Sequence, residues 1–540
     1  MTILSGLAAL AAIGVFVIAA PLALGLASGI SQGGLREDSR PLIDAYVLNA
    51  ARFTLLQAVL STALSVLLAI PVALAIARRR QFPGRIWLLR LLALPLGLPA
   101  LVGALGLLSI WGRQGAANTL LDILGFGRPL TVYGLQGILL AHVFFNLPLA
   151  VRLMVAGLDR IPSEYFLLGA NLGLSRLSLL RFVEGPVLRA LMPGIAGLIL
   201  MLCVTSFTLV LTLGGGPAAS TIEVAIYQAL RFDFDLPRAI ALAGLQLAIT
   251  ALLLLAFTLL GSQPAESETS GRVPRRFDGA GLPSRLGDAG VIALAALFVA
   301  SPMLAVLIAG LRADLVRLAL DPAVHRALLT SLAIATASSI LSVLLTFFML
   351  QARLALIARR SRQPSRLDAA KLFSAAVSGA TSLVLLVPPV VLGAGWFLAL
   401  RPTGDVARYA PVIIVAINAL MALPFVARIL APALATHAAR TARLADSLGM
   451  AGWSRLRWID APVLARPLAM ALSFAAALSL GDLGAVAIFG SNEVVTLPYL
   501  LFSRMGSYRT LDAAGLALLL GLVCLLLTMA GTPRREIALR

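Results

Sequence analysis

Apolar stretches of about 20 residues recur from one end of this chain to the other, and each is long enough to cross a bilayer as a helix. Inside a bilayer, only helices and closed barrels satisfy every backbone N–H and C=O group. Short strands that alternate apolar and polar residues, as in a membrane barrel, do not recur in this sequence. The sequence therefore predicts an all-α protein that crosses the membrane many times.

Composition supports this class, because 60% of the 540 residues are hydrophobic and only 12% are charged. A soluble domain carries about twice that share of charge. About twelve membrane helices are expected from the apolar stretches. The candidate spans lie near residues 7–30, 53–77, 87–111, 134–157, 193–213, 238–261, 289–311, 327–351, 372–400, 411–431, 467–489 and 512–531.

An internal repeat divides the spans into two sets of six. The segment GLSRLSLLRFVEGPVL, which begins at Gly173, aligns with GMAGWSRLRWIDAPVL, which begins at Gly449. The prolines Pro186 and Pro462 align at the same offset of 276 residues. Because six spans return the chain to its starting side, both halves have the same orientation, and a parallel repeat is predicted.

The predicted boundary between the halves is a polar segment rich in Pro and Gly, as expected of a linker. The predicted organisation is a first six-helix repeat (1–261), a cytoplasmic linker (262–288) and a second six-helix repeat (289–540).

The net charge of +19 reflects membrane topology. With a cytoplasmic N-terminus, most of the 43 Lys and Arg residues lie in cytoplasmic segments, as the positive-inside rule requires. This orientation places the C-terminus in the cytoplasm as well. Basic residues interleaved with aromatic ones on an exposed face, which would indicate nucleic-acid binding, are not evident, so no nucleic-acid partner is expected.

The two repeated segments resemble the cytoplasmic loop of ABC importer permeases, the binding-protein-dependent transport system inner membrane components. That loop reads Glu-Ala-Ala, three residues, Gly, nine residues, Ile, one residue, Leu-Pro. The sequence departs from it where the glutamate falls on Leu167 and on Arg443, so no role of that glutamate is carried over. The residues that match, or that could meet an acidic partner groove, are Gly173, Arg181, Val183, Pro186, Gly449, Arg457, Ile459 and Pro462.

The resemblance implies a type I ABC importer permease fold in the bacterial inner membrane. In such permeases each loop docks on one of two copies of a cytoplasmic ATPase, and substrate arrives on a periplasmic binding protein. Membrane lipid surrounds the helices. For the arginines, marking the cytoplasmic side is an alternative explanation to contact with the ATPase.

A narrower resemblance, to thiamine-importer permeases, extends over nearly the whole chain. It is carried by segments such as YGLQGILLAHVFFNLP, TIEVAIYQAL and LSLGDLGAVAIFG. It implies thiamine as the substrate and a thiamine-binding protein as a partner. Two alternatives stay open: a ferric-iron ABC importer permease, and an ion-coupled secondary transporter.

The sequence lacks the phosphate-binding loop of an ATPase, which needs Gly, four residues, Gly-Lys and Ser or Thr; the three glycines at 214–216 are followed by Pro217 and contain no Lys. We therefore expect a permease that is not an enzyme, with ATP hydrolysis by another chain. No catalytic residue, cofactor or metal site is predicted. Cys203 and Cys524 both lie in apolar spans and are expected to be unpaired.

Three polar residues within the spans are candidates for the translocation path. Asp482 lies in an otherwise apolar span, where an ionisable residue is a functional candidate by default. Its repeat counterpart is Ser206, and Asn146 lies in the fourth predicted span. A carboxylate could stabilise the thiamine cation, but a role in holding helices together is the favoured explanation for Asp482, and interhelical hydrogen bonding for Asn146.

Overall fold

The computed structural model describes residues 44–113, 115–125, 131–216, 219–260, 281–362, 387–401, 406–450, 452–490, 494–507 and 509–531. This part of the chain is largely helical and contains no β-strand. The predicted all-α polytopic class is therefore confirmed.

Twelve helices are described up to residue 260. They are α1 (Ala45–Arg78), α2 (Arg85–Leu91), α3 (Leu94–Gly97), α4 (Ala100–Trp111), α5 (Ala116–Ile123), α6 (Leu135–Leu158), α7 (Ser163–Asn171), α8 (Arg176–Leu179), α9 (Gly185–Val204), α10 (Thr208–Leu213), α11 (Ile222–Arg231) and α12 (Leu236–Leu260).

The described residues from 281 onward form ten more helices. They are α13 (Leu282–Leu311), α14 (Leu315–Leu320), α15 (Pro322–Arg362), α16 (Pro389–Leu400), α17 (Val406–Ser447), α18 (Gly452–Arg455), α19 (Ala461–Gly481), α20 (Gly484–Phe489), α21 (Leu497–Gly506) and α22 (Thr510–Gly531).

Nine helices of the described residues are long and apolar enough to cross a membrane, and the bent pair Arg85–Gly97 with Ala100–Ile123 raises the number to ten if it is one span. The predicted span near 7–30 lies outside the described residues, and the span near 372–400 is described only from residue 387. The number twelve therefore stays a prediction. Helix α13 begins at Leu282, inside the segment predicted as linker, and residues 261–280 lie outside the described part.

Contacts divide the chain into two compact units that are not continuous in sequence. The first unit contains Ala45–Ile222 and Ala248–Ala309, and the second contains the described residues of Glu223–Leu247 and Gly310–Arg540. Helix α13, the first described helix after the linker, thus packs with helices that precede the linker. The sequence repeat and the contact units therefore divide this chain at different places. The boundaries of the repeat remain a prediction.

Each unit contains a packed three-helix cluster. In the first unit, α1, α6 and α9 pack together, and their buried Ala, Val, Leu and Met side chains form one apolar core. In the second unit, α15, α17 and α19 pack in the same way around their own core. The two clusters consist of helices that the repeat aligns, so the duplication extends from the sequence to the packing.

Two of the candidate spans, 193–213 and 467–489, are each interrupted by a helix break. Helix α9 ends at Val204 and α10 begins at Thr208, while α19 ends at Gly481 and α20 begins at Gly484. Polar residues fall at both breaks. At the second break the Asp482 carboxylate accepts backbone N–H groups of the following helix, which competes with helix continuation. Short helices α10 and α20 pack against α4 and α16, respectively.

Candidate loop segments and translocation site

The first loop segment (residues 173–186) begins with a turn that requires glycine. Gly173 follows α7 and has φ +65°, a left-handed conformation that only glycine adopts without cost. The Leu174 N–H donates to the Gly169 carbonyl at 2.9 Å, which closes the helix end as in a Schellman motif. Ser175 then caps α8, because its hydroxyl accepts the Ser178 N–H at 3.3 Å. The turn therefore changes the direction of the chain between α7 and α8.

The second loop segment (residues 449–462) makes the same turn in a different context. Gly449 has φ +63°, and the short helix α18 follows it. The preceding helix differs between the copies, since α17 runs unbroken for 42 residues to Ser447, whereas α6 and α7 are separate helices. Both copies therefore contain a left-handed glycine turn after a helix.

A π-helical turn precedes the proline in both segments. It covers Leu180–Glu184 in the first segment and Leu456–Asp460 in the second, and the Gly185 N–H donates to the Leu180 carbonyl, five residues back. Pro186 and Pro462 follow at the second position of α9 and α19. Proline has no N–H and its ring crowds the carbonyl four residues back, so a wider turn before it lets the helix continue.

Both segments expose an arginine stacked on an aromatic ring. The Arg181 guanidinium carbon lies 5.5 Å from the centre of the Phe182 ring, and that of Arg457 lies 5.6 Å from the Trp458 ring. The rings are 63% and 68% exposed. Such stacking orients a cation while leaving its donors free for a partner. Phe182 and Trp458 were missed by the sequence argument, although their alignment at the common offset could have indicated them.

The remaining predicted residues have the same degree of exposure in the two segments. Val183 and Ile459 are half-buried, and Pro186 and Pro462 are exposed.

Behind this surface, each segment buries an acidic residue, Glu184 in the first and Asp460 in the second. The Asp460 carboxylate accepts from His437 Nε2 of α17 at 2.7 Å and lies 3.6 Å from Arg455 Nε. His437 itself is buried.

Asp482 and Ser206 lie at the two helix breaks. The Asp482 carboxylate oxygens accept the Gly484 N–H at 3.1 Å and the Ala485 N–H at 3.2 Å, which caps α20. Ser206 precedes α10, whose first turn has no side-chain cap from its flanking residue Phe207. The two breaks are thus equivalent in position, but only one is capped by a carboxylate.

Asn146 belongs to a buried polar cluster in the first unit. Its side-chain amide donates to Cys203 Sγ at 3.3 Å, and the neighbouring His142 Nδ1 lies 2.8 Å from Ser61 Oγ. These bonds join α1, α6 and α9 one turn before the break at Ser206. Asn146 therefore makes an interhelical contact.

The second unit has a corresponding cluster. Asn418 donates to Ser479 Oγ at 2.8 Å, and the Ser338 hydroxyl lies 2.9 Å from the same oxygen. Asn418 and Ser479 are the repeat counterparts of His142 and Cys203 at the offset of 276 residues. Polar contacts just before the helix break are thus present in both units, with different residue types.

The described residues contain no group of three or more His, Cys, Asp or Glu side chains arranged to hold a metal ion. Cys203 and Cys524 are buried free thiols, as the sequence indicated.

No family model matches the chain, but curated proteins do. The thiamine transport system permease protein ThiP of Brucella abortus (strain 2308) is 49% identical over 95% of this chain and 93% of its own length. ThiP of Escherichia coli (strain K12) is 45% identical over 90% and 88%. The chain belongs to the thiamine transport system permease family. It is also similar to the sulfate transport system permease protein CysT of Salmonella typhimurium, at 33% identity over 35% of this chain and 67% of that protein.

Membership of this family, together with nine membrane-length apolar helices in the described residues, makes the chain a multi-pass membrane permease. The resemblance drawn from the sequence is confirmed at the level of the family.

Proposed function

We propose that this chain is the transmembrane permease subunit of an ABC importer for thiamine. Thiamine passes from a periplasmic thiamine-binding protein to the cytoplasm, and two copies of a separate ATPase supply the energy. The observation that carries the proposal is the duplicated loop segment, since two copies of one surface suit two copies of one partner. Permease relatives named for thiamine transport, at up to 49% identity, support the choice of substrate.

The proposed ATPase contacts are the outward-facing residues of the two segments. Arg181 and Arg457 stack on exposed rings and retain N–H donors for an acidic groove. Gly173 and Gly449 set the direction of the short helix that enters the groove, and the half-buried Val183 and Ile459 and the prolines Pro186 and Pro462 complete the docking loops.

The proposed path runs beside the two helix breaks, near Asp482, Ser206 and Asn146. Discontinuous membrane helices expose backbone groups only where a cavity or protein surrounds them, which is the usual setting of a transport site. Asp482 contributes mainly by capping α20, and Asn146 by joining α6 to α9.

The proposed orientation has both termini in the cytoplasm of a bacterial inner membrane. A cysteine introduced by Arg276→Cys should react with a membrane-impermeant maleimide only from the cytoplasmic side, and one introduced by Gly216→Cys only from the periplasmic side. The native thiols are buried and give little background. Labelling of both positions from one side would contradict the topology.

Reconstitution tests the function directly. The chain, its ATPase and its binding protein are placed in liposomes, and uptake of radiolabelled thiamine is compared with uptake of ferric iron. ATP-dependent uptake of thiamine alone is expected. Iron uptake would support the ferric-iron alternative, and thiamine uptake that needs an ion gradient without ATP would support a secondary transporter.

A further inference from the structure

A buried carboxylate links the first loop segment to two membrane helices. Asp288, in the first turns of α13, has a side chain only 3% exposed. Its Oδ1 lies 2.5 Å from Arg78 Nη1 and 3.5 Å from Arg176 Nη2, and its Oδ2 lies 3.0 Å from Arg79 Nε. One carboxylate thus faces three guanidinium groups. We call Asp288, Arg78, Arg79 and Arg176 the Asp288 cluster.

The members of the Asp288 cluster come from three separate elements. Arg78 is the last residue of α1, Arg176 is the first residue of α8 in the first loop segment, and Asp288 belongs to α13. Separating a buried charge pair is strongly destabilising, because each charge is then left buried without compensation. Because the Arg78 side chain is also only 3% exposed, α1 and α13 are held together firmly at this end.

The contact with Arg176 is different in kind. Its 3.5 Å separation is the longest of the three, and the Arg176 side chain is 53% exposed. A half-exposed pair contributes modestly and is screened by water, so this contact can break and re-form while the core of the cluster persists. The first loop segment is therefore attached to α1 and α13 by an ion pair that can break and re-form.

The second loop segment has no such attachment through the aligned position. The counterpart of Arg176 is Gly452, and the charged contact of the second segment is Arg455 with Asp460 and His437. That network ties the segment back to α17, the helix immediately before it. The Asp288 cluster is thus a feature of the first segment, where it connects to the helix that opens the second repeat.

We infer that Asp288 and Arg176 are positioning residues that couple movement of the first loop segment to α1 and α13 during transport. The inference rests on the proposed function, in which an ATPase displaces that segment. The Arg78–Asp288 pair holds the helix ends together, and Arg176 transmits the displacement to them.

The attachment can be tested on the permease alone, without ATPase or substrate. Nitroxide labels replace the exposed residues Leu177 on α8 and Leu286 on α13, and the distance distribution between them is measured by pulsed electron resonance. Arg176→Gln should broaden this distance distribution, and Arg176→Lys should restore most of its narrow form. The control Arg160→Gln, at an exposed arginine outside the Asp288 cluster, should leave the distribution unchanged. An unchanged distribution in Arg176→Gln would overturn the inference, whatever the transported substrate.

Coupling is then measured in proteoliposomes with the ATPase and the binding protein. With the ATPase added to saturation, Arg176→Gln should raise the ATP consumed per thiamine transported about threefold or more, with rescue by Arg176→Lys. Loss of ATPase binding in Arg176→Gln would instead make Arg176 a direct docking contact and overturn the coupling role. Asp288→Asn should uncouple at least as strongly if it folds; should it fail to fold, the Arg176 variants still decide.

Discussion

The two loop segments have the same exposed surface, but different buried contacts hold them in place. Each has a left-handed glycine, a π-helical turn, and an exposed arginine on an aromatic ring at matching positions. Inside, the first segment contacts Asp288 of α13, while the second contacts His437 of α17. The repeated part is the part that would meet two identical ATPase subunits.

This difference separates two demands on a duplicated loop. A shared partner requires the same backbone direction and the same surface chemistry in both copies. Nothing requires the same anchorage, because each segment is packed against the helices that its own half provides. The inner contacts are therefore where the two copies can take unequal roles in transport.

The largest expected effect comes from the turn glycines. Gly173→Val and Gly449→Val force a β-branched residue into a left-handed conformation, which costs about 1–3 kcal/mol, although the added side chain itself meets open space. We expect ATPase co-purification to fall about tenfold or more in both variants, while membrane insertion survives. Equal losses at the two positions would support equivalent docking surfaces.

The control for this pair is Gly194→Val. Gly194 lies within α9, and a side chain added there also meets open space, but its backbone is helical. This variant should retain the ATPase. Normal co-purification with both Gly173→Val and Gly449→Val would contradict the docking assignment.

The next effect concerns the anchor of the second segment alone. Asp460→Ala leaves the buried His437 without its acceptor, which costs about 1–3 kcal/mol, and releases Arg455. We expect a lower melting temperature and weaker ATPase binding, measured by thermal unfolding and co-purification. Asp233→Ala, at an exposed aspartate of the same unit, is the control. If Asp460→Ala matched this control in both assays, His437 and Asp460 would not anchor the segment.

The sequence predicted the parts of this molecule that depend on local pattern. Apolar length predicted the helices, and the aligned repeat singled out Gly173 and Gly449, where the chain turns, because glycine adopts a left-handed conformation without cost. The helix breaks were missed, because Thr205 and Asp482 lie in runs whose average hydropathy is that of a continuous span. Partners such as Asp288 for Arg176 were also missed, since residues 112 positions apart meet only through tertiary packing.

A smaller effect is expected at the stacked arginines. Arg181→Ala and Arg457→Ala each remove one charged donor, and rings such as Phe182 remain in place. An exposed ion pair with an acidic groove contributes at most about 1 kcal/mol, so each variant should weaken ATPase binding severalfold, and added salt should weaken the wild type more than the double variant. The measurement is ATPase affinity at two salt concentrations. Identical salt dependence would mean that the arginines only mark the cytoplasmic side.

The smallest expected effect is at Asp482, where the two breaks differ most simply. Asn keeps one of the two acceptor oxygens that cap α20 and is close to Asp as a capping residue, so Asp482→Asn should fold, bind the ATPase and keep most of its transport. Asp482→Ala removes the cap of α20 and should cost about 1 kcal/mol, whereas Ser206→Ala, at the other break, should cost less. Transport and hydrolysis stimulated by the loaded binding protein are measured on the same reconstituted sample. Because both carboxylate oxygens already accept backbone N–H groups, the two activities should change in parallel in each variant. A selective loss of transport in Asp482→Asn, with stimulated hydrolysis intact, would instead mean that this carboxylate contacts the thiamine cation.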